Sequence, residues 1–211
     1  MYNIVFTVDC IFGQFDAITR TSDGKTYAFK NERVAQLNNA GTGVASGYPK
    51  PIRQVFSGLP TNLDAAVYWP NGKTYFFKGN HYWRTSGTRV DSGYPKSITG
   101  NWRGLPNDID AAVVWGRNGK AYFFKGTRYW RYRFDWDRTE EGNLDTNWHW
   151  PGYNQGTVDA AFRWSNGRTY FFKGERYWRY NDANDRVDSG YPLWTSREWL
   201  GCPNDRGTVP M

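Results

Sequence analysis

Residues 63–78 read LDAAVYWPNGKTYFFK, and the stretch falls into three parts. Ala66-Val67-Tyr68-Trp69 is a short apolar run, Asn71-Gly72 a turn signal, and Lys73 to Lys78 a second run rich in aromatics. Asn-Gly between two such runs predicts a two-residue type I′ hairpin, with positive φ at both central residues. Gly79 then breaks the second run, and a third starts at His81-Tyr82-Trp83-Arg84. The stretch recurs as FDAITRTSDGKTYAFK at 15–30, IDAAVVWGRNGKAYFFK at 109–125 and VDAAFRWSNGRTYFFK at 158–173. Its Asp-Ala pairs, Asp16-Ala17, Asp64-Ala65, Asp110-Ala111 and Asp159-Ala160, lie 48, 46 and 49 residues apart. Asp23-Gly24, Asn118-Gly119 and Asn166-Gly167 hold the turn position in the other copies.

Further out, three copies continue as KGNHYWR, KGTRYWR and KGERYWR, while the first reads KNERVAQ. Ser-Gly-Tyr-Pro recurs from Ser46, Ser92 and Ser189, and Gly-Leu-Pro from Gly58 and Gly104. A fourth strand is expected near the Gly-Leu-Pro turn. Four short strands in 46–49 residues, repeated four times, define an all-β, four-bladed β-propeller. The chain, 1–211, is then a single propeller with blades at about 10–60, 61–106, 107–155 and 156–203.

Composition agrees. The 211 residues hold 12 Trp, 15 Tyr and 13 Phe, too many rings for a disordered chain, and no apolar run reaches the length of a membrane span. The N-terminus shows no secretory signal. The net charge of +7 favours acidic partners, yet the basic residues form no run of five or six, so specific nucleic-acid binding is not expected.

The order Asp-Ala-Ala, Gly-Lys-Thr-Tyr-Phe-Phe-Lys-Gly, Tyr-Trp-Arg and Ser-Gly-Tyr-Pro resembles the hemopexin-like repeat family from about Cys10 to Pro203. The likeness is above all to the hemopexin-like domain of matrix metalloproteinases, and also to plant seed albumins and bacterial stand-alone proteins of this fold. The resemblance implies a central channel with a hard cation, Ca²⁺ or Na⁺, on its axis. Its ligands would be the main-chain oxygens of Asp16, Asp64, Asp110 and Asp159, with a second layer from Ile18, Ala66, Ala112 and Ala161. The Asp side chains would instead bond nearby backbone amides. A disulfide between Cys10 and Cys202 is implied as well, since a closed ring sets its first and last blades side by side. With it comes an extracellular or secreted location.

Catalysis is not expected. Gly72-Lys73-Thr74 has Val67 where a phosphate loop needs its first Gly, and neither His-Glu-x-x-His nor Gly-x-Ser-x-Gly occurs. Glu140-Glu141 reads as part of a polar loop. Haem is not expected either, because His81 stands at an ordinary repeat position aligned with Arg33, Arg128 and Arg176. Repeated aromatics, among them Trp69, Trp115, Trp164 and the aligned Phe56, Trp102 and Trp199, should fill the spaces between blades. The Lys30, Lys78, Lys125, Lys173 and Arg84, Arg131, Arg179 ladders should lay their stems on rings.

Residues that break the repeat are the better candidates for binding. Blade three lacks Ser-Gly-Tyr-Pro and has a segment from Tyr132 to Trp150 instead. There Arg133, Trp136, Trp148, His149 and Trp150 are of the types found in binding hot spots. The expected function is a non-catalytic binding module for an extracellular macromolecule, protein or glycan. The alternatives are a carrier of haem or polyamine and a lectin with repeated sites.

Overall fold

The computed structural model describes residues 13–133, 138–143 and 150–202. Blade one holds β1 (Ala17–Arg20), β2 (Thr26–Lys30), β3 (Arg33–Gln36) and β4 (Lys50–Pro51), followed by the short α1 (Ile52–Val55). Blade two holds β5 (Ala65–Tyr68), β6 (Thr74–Lys78), β7 (His81–Ser86), β8 (Arg89–Val90) and β9 (Lys96–Ser97). Blade three holds β10 (Ala111–Val114), β11 (Ala121–Lys125), β12 (Arg128–Arg133) and β13 (Arg138–Asn143). Blade four holds β14 (Ala160–Arg163), β15 (Thr169–Lys173), β16 (Arg176–Asn181), β17 (Arg186–Val187) and β18 (Leu193–Trp194), and closes with α2 (Thr195–Leu200). Each blade is an antiparallel meander, its strands ordered as they come in the chain. The first strands β1, β5, β10 and β14 touch one another in a ring around the axis. The chain is a four-bladed β-propeller.

The turn between the first two strands differs from the type I′ expectation. At Trp69–Gly72 only Gly72 has positive φ (79°), and its N–H donates to the Trp69 carbonyl at 3.0 Å. That is the three-residue hairpin loop, a turn followed by a left-handed glycine. Side-chain chemistry explains the choice. Asn71 accepts the Lys73 N–H at 3.0 Å through its Oδ1 and donates to the Tyr75 hydroxyl at 3.0 Å, so its amide is held by the strand it precedes. Asn118 and Asn166 make the same two bonds, to Lys120 and Tyr122 and to Arg168 and Tyr170.

The core lies between blades. One cluster joins Trp69, Phe77 and Trp102 of blade two to Phe123 and Tyr132 of blade three. Another joins Trp115 and Phe124 to Phe171 and Tyr180, and a third joins Phe172 and Trp199 to Ile18 and Leu37 across the ring closure. The fourth joins Phe29 and Phe56 to Ala66 and Phe76. The repeated aromatics thus do what their recurrence implies. Rings meet mostly edge to face, as at Trp102 on Tyr75 (5.6 Å, 90°), the geometry that ring quadrupoles favour.

A glycine marks every seam. Gly58, Gly104, Gly152 and Gly201 all have positive φ, and a Cβ there would lie 3.2, 2.8, 3.1 and 3.0 Å from Val90, Thr139, Val187 and the Thr42 carbonyl of the next blade. The linker beside each of the first three bonds that blade: Val90 N–H to Ser57 O at 3.1 Å, Thr139 N–H to Arg103 O at 3.0 Å, Val187 N–H to Pro151 O at 2.9 Å. Cys202 follows Gly201 as Leu59 follows Gly58, and packs on the cluster that closes the ring. Its expected partner Cys10 lies outside the described residues.

Candidate functional site

The start of each innermost strand faces one mouth of the channel. There Asp16, Asp64, Asp110 and Asp159 line a single cavity of about 460 Å³, joined by Asp108, Asn31 and Asn62. Each Asp side chain is turned to its own blade. Asp16 bonds Lys30 Nζ and the Asn31 N–H, both at 2.6 Å, and Asp159 bonds Lys173 Nζ at 2.6 Å and the Gly174 N–H at 2.8 Å. Asp64 accepts the Gly79 N–H at 2.6 Å and Asp110 the Gly126 N–H at 2.7 Å. Lys78 and Lys125 go instead to the carbonyls of Thr61 and Asn107, both at 2.7 Å. The Lys ladder therefore rims the mouth with ion pairs and carbonyl bonds, rather than simply lying on rings.

The four Asp amides are used too, donating to Phe29, Phe77, Phe124 and Phe172. Among the described residues, no hydrogen bond ends on the four Asp main-chain oxygens. Carbonyls left without donors suit a hard, oxygen-loving cation, whereas no group of three or more His, Cys, Asp or Glu side chains among the described residues is placed to hold one. Burial, with the charges of Asp108 and Asp110 added, raises the Asp64 pKa above the usual carboxylate value even though the Gly79 N–H bond lowers it. The side chains of Ile18, Ala66, Ala112 and Ala161 are buried in the blade-to-blade clusters, so any part they take on the axis is a backbone one.

Blade three departs from the others at its outer edge. In blades two and four the fourth position is split, β8 with β9 and β17 with β18, around the Ser-Gly-Tyr-Pro segment. In blade three, β13 pairs with β12 over six residues, from Arg128↔Asn143 to Arg133↔Arg138. Glu140 and Glu141 therefore belong to a strand and not to a polar loop, and Glu140 forms an ion pair with Arg131 directly across it. The run Arg138-Thr139-Glu140-Glu141-Gly142-Asn143 holds no apolar residue, which is what hid this strand.

Trp150 is a second correction. It is 1 % exposed, packed against Trp115 (4.4 Å), Tyr122 and Phe171, and so fills the place that Trp102 and Trp199 fill in their blades. The Pro that follows it at 151, where the aligned residues have theirs four positions on, masked the equivalence. A residue so enclosed is core and not a contact for a ligand. Trp136, Trp148 and His149 lie outside the described residues, as does the side chain of Arg133. His81 is exposed and rests beside Trp83 at 6.4 Å.

Residue reasoning passed over Asp182, which no other blade has. It is 8 % exposed and locks the seam between blades three and four, accepting from Trp115 Nε1 at 2.9 Å and Thr169 Oγ1 at 3.1 Å, with Arg163 Nε at 3.8 Å. Burial raises its pKa against those bonds. Gly116 stands beside it because a Cβ there would come within 2.3 Å of Asp182 Oδ2.

The family profile described as Hemopexin matches residues 15–61, 63–107, 109–142 and 158–203, one match per blade. The chain belongs to the hemopexin family. Part of it is 45 % identical over 76 residues to matrix metalloproteinase-19 of Mus musculus, covering 34 % of this chain and 13 % of that protein. Another comparison gives 42 % identity over 77 residues with vitronectin of Oryctolagus cuniculus, covering 36 % of this chain and 16 % of that one. The matches thus span a small part of both relatives. A plant lectin with two metal binding sites from Cicer arietinum superposes with a TM-score of 0.72 at 23 % identity, covering 94 % of this chain and 99 % of its own. Hemopexin fold protein CP4 from cow pea does so at 0.71 and 21 %, covering 88 % and 95 %. These two likenesses establish the fold.

Proposed function

We propose that this hemopexin domain is a non-catalytic binding module that recognises an extracellular macromolecule, protein or glycan, and carries Ca²⁺ or Na⁺ on its axis. The observation that carries the reading is the contrast in blade three. Its aromatics that follow the repeat, Trp115, Tyr122 and Trp150, are buried between blades, while its outer strand has been rebuilt as a continuous six-residue edge. Binding then falls to Trp136 and Trp148, with Arg133 and His149 close to them in the sequence. The four Asp carbonyls without donors support the ion. The Cys202 position at the ring closure supports a disulfide to Cys10, which mass spectrometry of the oxidised protein tests by the absence of two free thiols.

A glycan array and a panel of extracellular proteins identify the ligand, and isothermal titration follows. Trp136→Ala or Trp148→Ala should weaken binding by about 2 kcal/mol, some thirtyfold, with one ligand per chain. A stoichiometry of three or four, untouched by both changes, would instead assign the lectin reading with repeated sites.

A further inference from the structure

The opposite mouth of the channel is built differently. The innermost strands end at Arg20, Tyr68, Val114 and Arg163, four equivalent positions of the repeat. All four line one funnel of about 240 Å³, joined at the rim by Pro70 and deeper in by the main chain of Ala66, Ala112 and Ala161. The positions are equivalent, yet their chemistry is split in half. Blades four and one, which are neighbours, contribute Arg163 and Arg20, while blades two and three contribute Tyr68 and Val114.

Arg20 has no ion pair among the described residues. Its one side-chain bond is a long 3.4 Å contact to the Gly24 carbonyl, and its Nε is buried without a partner. Arg163 has Asp182 at 3.8 Å, but that carboxylate already accepts from Trp115 and Thr169. Tyr68, 37 % exposed, presents a ring at the same rim.

We propose that this funnel binds a small organic anion with a flat apolar body, such as an aromatic carboxylate or sulfonate. The anionic head pairs with the terminal guanidinium nitrogens of Arg20 and Arg163, and the body lies against Tyr68, Val114 and Pro70 at the rim. A guanidinium offers two parallel donors to a carboxylate, so the pairing is directional as well as electrostatic. The volume admits a small molecule and no folded partner.

The test titrates 1-naphthoate into the full chain at low salt, by calorimetry and by the fluorescence of Trp69 and Trp164, which flank the funnel. One anion should bind per chain, and Arg20→Gln or Arg163→Gln should weaken it about tenfold or more, with Arg20→Lys between wild type and Arg20→Gln because it keeps the charge and loses the parallel donors. Affinity should fall as NaCl is raised, and 1-naphthylmethanol and 1-naphthylmethylammonium should bind far more weakly. Equal binding of the neutral or cationic compound overturns the proposal. So does an unchanged dissociation constant in the Arg20→Gln/Arg163→Gln double variant at wild-type Tm. If that variant fails to fold, the salt dependence and the three-compound comparison on the wild-type protein decide alone.

Discussion

Blades two and three share three inner strands in matching registers, and then they part. In blade two, Tyr82 is roofed by Tyr94 of Ser-Gly-Tyr-Pro, edge to face at 5.5 Å. Arg84 bonds Asp91 at 2.6 Å and stacks 5.0 Å over the Tyr94 ring. Blade four repeats this with Tyr177, Tyr191, Arg179 and Asp188. In blade three the equivalent Tyr129 is just as buried, but its roof is a backbone: Gly142 of β13 sits where a Cβ would come 2.2 Å from Tyr129 Cζ. Arg131 finds Glu140 across the same strand pair. A lost motif therefore need not mean a lost core, because two different sequences shield one ring and neutralise one arginine.

The largest effect should come from treating the two blades as equals where they are equal. Trp102→Ala and Trp150→Ala should each lower stability by roughly 3–5 kcal/mol in urea unfolding. A small loss at Trp150 alone would break the equivalence and return that residue to the binding surface. Next is the seam between the blades. Gly104→Ala must accept a left-handed alanine and a Cβ 2.8 Å from Thr139 Oγ1, together roughly 2–4 kcal/mol. Gly100→Ala, with φ of 90° and open space around it, should show the backbone part alone, about 1–2 kcal/mol. Equal losses at both would mean that β13 yields.

The axis is common to all blades, so chelation should lower the Tm of the calcium-loaded protein and of every blade variant alike. At a hundredfold excess of ion over its dissociation constant the loss is about 2.7 kcal/mol. No shift on chelator addition would count against calcium as the ion.

The seam on the other side of blade three predicts a pH effect with a definite sign. Asp182 has a raised pKa, so the folded state binds more protons than the unfolded one between the raised value and the usual carboxylate value. Its unfavourable contribution is full at neutral pH and is relieved as pH falls through the raised pKa. The difference in Tm between wild type and Asp182→Asn should therefore change across that window, with the wild type gaining relative to the variant on acidification. A constant difference would mean that Asp182 titrates normally. The smallest effect is expected at Trp136→Ala and Trp148→Ala, within about 0.5 kcal/mol of wild-type stability if these rings serve binding rather than the core.

Much of this was legible beforehand. The repeat period, the Asn-Gly and Asp-Gly turns and the Asp-Ala pairs locate the blades and bring four Asp to one mouth. The Asp side chains bond the amides at the ends of the second strands, as the motif suggested. The split of the outer strands was not legible, because two-residue strands leave no periodic trace. Nor was the turn type, which an amide bond from Asn71 to Tyr75 decides against the local preference.

The order of residues by itself determined a closed four-bladed ring, because a unit of this length with two-sided apolar strands buries its faces only against copies of itself. Tertiary structure alone decided which irregular residues face water. Trp150 looks like an exposed anchor in the sequence and is core, since burial depends on what the neighbouring blade brings to it. Arg20 and Arg163, 143 positions apart and unremarkable in the text of the chain, become neighbours around one opening only when the ring closes. Distance through space, and with it desolvation and charge pairing, is a property of the closed ring and not of the repeat.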